Sequence, residues 1–159
     1  QVCGILASSR LDEVKDNVFT EPSRINSTFG GNLVDMVRCS AILKIIDKER
    51  LVDNAHLRGR ELLQGLESLC VEFPDIIGNA RGLGLMCAFD LADAQKRNTF
   101  RAKMLREKLI VIGCGSSSIR FRPHLIITRE EVEMILQIIR TILVKMHHKS
   151  ATTKTAKGK

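Results

Sequence analysis

Two stretches of the sequence combine residue types that could bind anionic groups. In the first, Ser27 and Thr28 stand just before Gly30 and Gly31, and an apolar segment follows. Two hydroxyls, backbone amides and the positive end of a helix dipole can together hold an anion. Ser and Thr are also common helix caps, so an ordinary capped helix fits the same pattern. The residue types alone leave both interpretations open.

The second stretch runs from Ile119 to His124 and has the alternation of a β-strand. Alternation places Ile119 and Phe121 on one face and Arg120 and Arg122 on the other. An arginine held on a strand can bind a carboxylate through two parallel hydrogen bonds, which fix the orientation of the ligand as well as its charge. A solvated edge strand has the same pattern.

Other candidate motifs indicate no chemistry. The segment Arg81-Gly-Leu-Gly84 precedes a predicted strand, whereas a dinucleotide-binding fingerprint follows a strand and opens a helix. We therefore expect these glycines to permit close backbone packing. The histidines lack second ligands at metal spacing, so we expect no metal site; they are His56, His124, His147 and His148. Cys, His and Asp residues show no context typical of a nucleophile and its base.

The positive charge is concentrated at one end of the chain. The formal net charge is +7, and residues 145–159 hold five lysines and no acid, which leaves +2 for the rest. With no Trp, no Tyr and six Phe, the chain lacks the aromatic platform on which single-stranded nucleic acids stack. We therefore expect no nucleic-acid partner.

Cysteine usage and apolar run lengths predict the compartment. The five cysteines are odd in number, widely spaced and set mostly among apolar neighbours. Such cysteines are typical of reduced core residues in an intracellular protein, so we expect a cytoplasmic location. The longest apolar runs, such as residues 109–112, fall far short of the roughly 20 residues that span a membrane. Because Gln1 stands in place of an initiator Met, we expect the sequence to begin within a longer polypeptide.

Four segments show helical patterns. From Asn32 onward, apolar residues recur at helical spacing and on most sides, which predicts a well-buried helix. Further helices are predicted over 54–73 and 93–108. Thr128 and Glu131 form the capping box of a last helix.

Strand patterns alternate with these helices and predict an α/β domain. A strand with both faces covered is predicted over 83–91, and shorter strands over 109–112 and 118–121. Beyond His148 the composition cannot bury enough apolar surface to offset ordering, which predicts a mobile tail.

Four of these stretches carry longer patterns, in order along the chain. They are Leu11-Asp-Glu-Val-Lys-Asp-Asn-Val-Phe19, Pro22-Ser-Arg-Ile-Asn-Ser-Thr-Phe-Gly-Gly-Asn32, Asn79-Ala-Arg-Gly-Leu-Gly-Leu-Met-Cys-Ala-Phe-Asp90 and Ser118-Ile-Arg-Phe-Arg-Pro-His124. Together they resemble the C-terminal part of the class III pyridoxal-phosphate-dependent aminotransferases. Within this family the chain most resembles the branch that acts on the ε-amino (6-amino) group of L-lysine.

The resemblance implies the fold and its domains. It implies a fold-type I aminotransferase in which residues 1–34 form the edge of the large cofactor-binding domain and the crossover from it. Residues 35–146 would form the small C-terminal α/β domain, a mixed sheet of a few strands packed with helices. Residues 147–159 would be a disordered basic tail.

The resemblance also implies the site residues. Thr28 matches the threonine that reaches across a dimer interface to the phosphate of the neighbouring subunit's pyridoxal phosphate, and Ser27 is expected to contact the cofactor beside it. Arg120 matches the arginine that binds the α-carboxylate of 2-oxoglutarate or glutamate, and Asn26 is expected to bind substrate with it. The Schiff-base lysine of the family lies a few residues before the position of Gln1, so no catalytic residue is expected in this chain.

The implied activity is transfer of the ε-amino group of L-lysine to 2-oxoglutarate, giving glutamate and a semialdehyde, in a homodimer. The alternatives are the branches that act on 4-aminobutyrate or ornithine, and a non-catalytic truncated relative that serves as an interaction domain. Residues 26–31 favour lysine, because the 4-aminobutyrate enzymes differ after the threonine. Two departures are Phe29, where the lysine branch usually has Trp, and the tail after Met146. We expect the chain alone to be inactive.

Overall fold

Helices and strands are interspersed along the chain, but they occur in consecutive pairs and do not strictly alternate as predicted. The computed structural model describes residues 5–25 and 28–156, with side chains up to residue 148. In chain order, the elements are a 3-10 helix (Ser9–Leu11), α1 (Leu33–Lys48), α2 (Leu51–Glu72), β1 (Ile77–Leu83), β2 (Met86–Leu91), α3 (Ala94–Arg106), β3 (Ile112–Cys114), β4 (Ser118–Phe121) and α4 (Arg129–Ala156). The α/β class is confirmed.

The chain forms two compact units, residues 1–49 and residues 50–159. Local hydrogen bonds hold the first unit. Its buried Asn17 donates to the carbonyl oxygens of Leu11 and Val14 and accepts a hydrogen bond from the amide of Phe19. The domain boundaries implied by the resemblance, at 34/35 and 146/147, stay predictions.

Helix α1 is present as predicted, but it is not buried. None of its residues is buried. The apolar pattern on most of its sides predicted burial, and that prediction is wrong for the described chain because the described residues leave this surface uncovered. Its exposed large apolar side chains are Leu33, Val34, Met36, Val37, Ile42, Leu43 and Ile45.

A four-stranded sheet in the order β1-β2-β4-β3 organises the second unit. All three ladders are antiparallel: β1 with β2, β2 with β4, and β3 with β4. The resemblance implied a mixed sheet, whereas every pairing is antiparallel, because β1–β2 and β3–β4 are hairpins and β4, not β3, lies beside β2. Neighbouring strands joined by short turns pair as antiparallel hairpins.

The helices of the second unit enclose one apolar core with the inner face of the sheet. Helix α2 packs against β1 and β2, α3 packs against β2, β3 and β4, and α4 packs against α2 and α3. Phe89 lies at the centre, with its ring centroid 5.7 Å from that of Phe100 and 5.9 Å from that of Phe121. Each fully buried side chain of this size contributes roughly 1.5–3 kcal/mol.

The segment predicted as one strand over 83–91 consists of the last residue of β1, a turn and all of β2, and one face of β2 is covered. Gly84 lies in the turn between β1 and β2, with φ +54. Along β2, Cys87, Phe89 and Leu91 are buried, whereas Ala88 is only partly buried. Apolar residues therefore lie on both faces of the strand, although only the inner face of the sheet is covered by helices.

Strand β3 begins three residues later than predicted. Lys108 has φ 63 and donates from its amide to the carbonyl oxygen of Leu105. The amide of Leu109 likewise donates to the carbonyl oxygen of Met104. Residues 108 and 109 thus close the last turn of α3, so the chain becomes a strand only at Ile112.

Helix α4 begins at the predicted capping box. The amide of Thr128 donates to the carboxylate of Glu131 at 2.9 Å, and the amide of Glu131 donates to Oγ1 of Thr128 at 3.3 Å. The helix continues to Ala156, over part of the predicted mobile tail. Extending an existing helix adds one hydrogen bond for each residue fixed. None of the helices within residues 5–25 and 28–156 is apolar over a length that could span a membrane.

The described cysteines are free thiols, namely Cys39, Cys70, Cys87 and Cys114. Only Cys87 among them is buried; the other three are partly exposed. Burial raises the pKa of the Cys87 thiol to about 11 and keeps it protonated at neutral pH. Cys3 lies outside the described residues.

Candidate functional site

Arg120 lies on the outer face of the sheet, opposite the apolar core. Its neighbours along β4, Ile119 and Phe121, are buried in that core, as strand alternation predicts. Across the sheet, Arg120 is in register with Ala88 of β2 and Ile112 of β3. The aliphatic part of the Arg120 side chain is therefore flanked by two apolar residues, and Arg120 is partly buried.

The Arg120 guanidinium retains hydrogen-bonding capacity. Its Nε atom is buried and has no hydrogen-bond partner among the described residues. A buried donor without a partner is unfavourable by about 1–3 kcal/mol, and more for a charged group. An anion that accepts hydrogen bonds from this guanidinium would offset that penalty. This is the property expected of a carboxylate-binding arginine.

Beside Arg120, four polar residues form a cluster that we call the Asp90 network: Asn79, Arg81, Asp90 and Ser118. Asp90 Oδ1 accepts from the Ser118 hydroxyl at 2.5 Å and from Arg81 Nη1 at 3.0 Å, and its Oδ2 accepts from Asn79 Nδ2 at 2.6 Å. Arg81 Nη2 also donates to Ser118 Oγ at 3.0 Å. The network therefore joins strands β1, β2 and β4.

The Asp90 carboxyl is ionised at neutral pH. Partial burial by itself raises its pKa, but the hydrogen bonds from Ser118, Asn79 and Arg81, together with the positive charge of Arg81, outweigh that effect. The net result is a pKa below the ordinary value. The carboxylate thus neutralises Arg81 on the outer face.

The sequence motifs do not predict the Asp90 network, because Arg81 stands in a glycine-rich segment that indicates close packing. The pattern that does indicate it is the alternation of residues along the strand. Asp90 is the one charged residue in the strand-like run from Leu83 to Leu91, and it alternates with the buried Phe89. An acid at such a position needs a partner on the same face of the sheet.

In the first unit, Thr28 is an exposed residue in the turn before α1. The cap of α1 is Asn32, whose Oδ1 accepts from the amides of Val34 at 2.9 Å and Asp35 at 3.4 Å. The interpretation of Thr28 as an ordinary helix cap is therefore wrong, since Asn32 performs that function. Gly31 has φ +79, and no atom lies within 4 Å of an added Cβ there.

The predicted site residues fall in both units. Arg120 lies in the second unit and Thr28 in the first. Arg122 is exposed just beyond β4. Asn26 and Ser27 lie outside the described residues. Among the side chains that the structure describes, no three His, Cys, Asp or Glu residues are placed to hold a metal ion.

Comparison with known proteins adds an independent observation. The family model of the class-III aminotransferases matches residues 5–143. The L-lysine-epsilon aminotransferase of Streptomyces clavuligerus is 45% identical over 140 residues, which are 87% of this chain and 31% of that protein. The chain thus spans about a third of this relative.

Solved structures give the same result. A lysine aminotransferase from Mycobacterium tuberculosis is 42% identical and superposes with a TM-score of 0.79, covering 90% of this chain and 33% of that one. An acetylornithine aminotransferase from Elizabethkingia anophelis is 26% identical with a TM-score of 0.71, covering 79% of this chain and 33% of that one. From its matched sequence and its fold, the chain belongs to the class-III aminotransferase family.

Proposed function

We propose that the chain is part of an aminotransferase that moves the ε-amino group of L-lysine to 2-oxoglutarate. The observation that carries the proposal is Arg120, whose guanidinium lies on the outer face of the sheet with a buried Nε that has no partner among the described residues. The resemblance assigns carboxylate binding to the same residue. Both 2-oxoglutarate and L-lysine carry an α-carboxylate: in 2-oxoglutarate it is bonded to the keto carbon that accepts the amino group, and in L-lysine it lies at the far end of the chain from the reacting ε-carbon.

Arg120 orients the substrate in this proposal. Two parallel hydrogen bonds to a planar carboxylate restrain both the position and the rotation of the ligand. The carbon at which the amino group is exchanged then lies at a fixed distance from Arg120: in 2-oxoglutarate it is the keto carbon next to the bound carboxylate, and in L-lysine it is the ε-carbon. Positioning of this kind contributes to the rate by limiting the orientations that the reactant can take.

The described residues fit the cofactor that the family implies, pyridoxal phosphate. Thr28 is exposed, its hydroxyl does not cap α1, and the open space at Gly31 leaves room for a phosphate next to the turn. Thr28 and Ser27 would hold the phosphate, across the interface of a homodimer. When bound, the cofactor supplies an electron sink for the carbon that loses its proton. The proposal gives proton transfer to no residue of this chain, because the resemblance assigns it to a lysine that precedes Gln1.

The identity values favour lysine as the amino donor. Relatives named for lysine are 42–45% identical to this chain, whereas the ornithine and acetylornithine aminotransferases are 26–27% identical.

The thiols of the described cysteines support a reducing compartment, and we propose that the protein is cytoplasmic.

The decisive test replaces Arg120 in the full-length enzyme. Arg120→Ala removes the two charge-assisted hydrogen bonds, so we expect KM for 2-oxoglutarate to rise about 10- to 100-fold. The rate of the amino-donor half-reaction with 1,5-diaminopentane, which is lysine without its carboxylate, is expected to stay unchanged. Steady-state kinetics and single-turnover absorbance measure the two quantities.

Arg101→Ala serves as the matched control, because Arg101 is an exposed arginine of α3, which packs on the core side of the sheet. We expect its KM for 2-oxoglutarate to equal that of the wild type. An unchanged KM in Arg120→Ala would remove Arg120 from the site. Faster turnover of ornithine or 4-aminobutyrate than of L-lysine by the wild type would refute the choice of donor.

A further inference from the structure

Ser118 lies two residues before Arg120 on the same strand, so both side chains point to the outer face of the sheet. Its side chain is nevertheless largely buried, with the residue only 8% exposed. The hydroxyl donates to Asp90 Oδ1 at 2.5 Å and accepts from Arg81 Nη2 at 3.0 Å. One small side chain thus connects β4 to residues of both β1 and β2.

Arg120 lacks such an anchor within the described residues at its Nε atom, which is buried and unpaired. Its neighbours in register, Ala88 and Ile112, offer only apolar contact. The direction of its guanidinium therefore depends on the placement of β4 itself. Because β4 is four residues long and β3 is three, backbone pairing fixes this edge of the sheet through few hydrogen bonds.

The charges on the outer face favour the same arrangement. Asp90 pairs with Arg81 at 3.0 Å, and Ser118 accepts from the second arm of the same guanidinium. Arg81 is thus bound within the network and does not compete with Arg120 for a ligand carboxylate. Loss of the Ser118 hydroxyl would free that arm of Arg81 and detach β4 from the network.

From these contacts we propose that Ser118 is a positioning residue for Arg120, a role that rests on the proposed function of Arg120 as the carboxylate clamp. The Ser118 hydroxyl, held by Asp90 and Arg81, fixes β4 against β2 so that the guanidinium meets the substrate carboxylate in line for two hydrogen bonds. Binding geometry of this kind tolerates displacements of only about 0.5 Å and 10–20°.

The test uses the full-length holoenzyme and glutarate, a five-carbon dicarboxylate that has neither an amino nor a keto group. Calorimetry gives its dissociation constant without turnover. Ser118→Ala is expected to raise this constant about 3- to 10-fold, and Ser118→Thr, which restores the hydroxyl, to return it to within about twofold of the wild type. Ser68→Ala is the matched control, because the exposed Ser68 hydroxyl donates to the Gln64 carbonyl oxygen within α2, away from the sheet.

Kinetic measurements distinguish a positioning role of Ser118 from a general loss of enzyme function. In Ser118→Ala, KM for 2-oxoglutarate should rise in proportion to the glutarate constant, while the half-reaction with 1,5-diaminopentane keeps its wild-type rate. Arg81→Lys retains the positive charge but loses the second guanidinium nitrogen that bonds Ser118. It should likewise raise KM for 2-oxoglutarate while leaving the half-reaction with 1,5-diaminopentane unchanged, and it replaces Ser118→Ala if that variant does not fold. Equal losses with both substrates would overturn the inference.

Arg120→Ala distinguishes failure of the inference from failure of the proposed function. If Arg120→Ala weakens glutarate binding and Ser118→Ala and Arg81→Lys do not, Ser118 has no positioning role and the clamp stands. If Arg120→Ala leaves glutarate binding unchanged, the clamp and the positioning role both fail.

Discussion

Two glycines determine how closely α2 approaches the β1–β2 hairpin. A Cβ at Gly59 would clash with the carbonyl oxygen of Gly84, a backbone atom that cannot rotate away. The Cys87 thiol lies against the same contact, 3.4 Å from the carbonyl oxygen of Gly84. The expectation that the glycines of Arg81-Gly-Leu-Gly84 permit close backbone packing is confirmed, and its partner is a glycine of a helix.

We predict that Gly59→Ala destabilises the fold by about 1–3 kcal/mol, because the added methyl group must separate α2 from the turn. The preference of Ala for helices, about 0.5–1 kcal/mol, acts in the opposite direction and is smaller than such a backbone clash. Urea unfolding of the full-length protein measures the change. Gly78→Ala is the matched control, since nothing lies within 4 Å of its added Cβ. Equal unfolding midpoints for the two variants would contradict the contact.

At the residue scale, the sequence predicts which face of a strand a side chain occupies better than which residue it contacts. Alternation alone placed Arg120 opposite Ile119 and Phe121, and the structure agrees. The bond from Ser118 to Asp90 could not be predicted, because it requires the register of β4 on β2, which joins residues 28 positions apart. Local pattern contains no information on that pairing.

Helix α4 illustrates an element whose start is specified locally. The capping box of Thr128 and Glu131 satisfies two backbone amides that would otherwise lack partners. The first buried residue of the helix, Val132, follows one position later. Local capping and core packing therefore fix the same start, which explains why the sequence predicted it.

We predict that Thr128→Ala destabilises the protein by about 1 kcal/mol, the usual effect of losing an N-terminal cap. Thr141→Ala is the matched control: Thr141 lies inside α4 and its hydroxyl bonds to the carbonyl oxygen of Gln137. Because Ala is the better helix former, that variant should be neutral or slightly more stable. Thermal unfolding followed by circular dichroism measures both changes. A Thr128→Ala midpoint at or above that of Thr141→Ala would contradict the capping role.

The type of an element was predictable where its cap or its apolar periodicity was clear, whereas its burial was not predictable. The apolar pattern of α1 predicted a helix, which is present, and burial, which is absent in the described chain. Apolar residues show that a surface is suited to contact, but the contacting group lies elsewhere in the chain or in another molecule. The strand predicted over 109–112 begins only at Ile112 for a different reason, since the amides of Lys108 and Leu109 hydrogen-bond back to the last turn of α3.

At the scale of the whole molecule, apolar burial is unevenly distributed. Every residue of the described apolar core lies in the second unit, from Leu62 to Leu143. In the first unit, the buried residue among those described is the polar Asn17. Helical hydrogen bonds without buried side chains contribute little stability, and an isolated helix of α1's 16 residues is marginal in water.

We therefore predict that amide hydrogen exchange separates α1 from α2 in the 159-residue chain. The two are a matched pair, because both are regular helices and they differ in burial: α1 buries no residue, and α2 buries Leu62, Leu66 and Leu69 among others. Amides of α1 should exchange through local opening and be lost within seconds to minutes at neutral pH, whereas those of α2 require opening of the core and should exchange at least about 100-fold more slowly. Mass spectrometry of peptides covering 33–48 and 51–72 gives both rates. Equal protection of the two helices would show that α1 has a partner surface that holds it as firmly as the core holds α2.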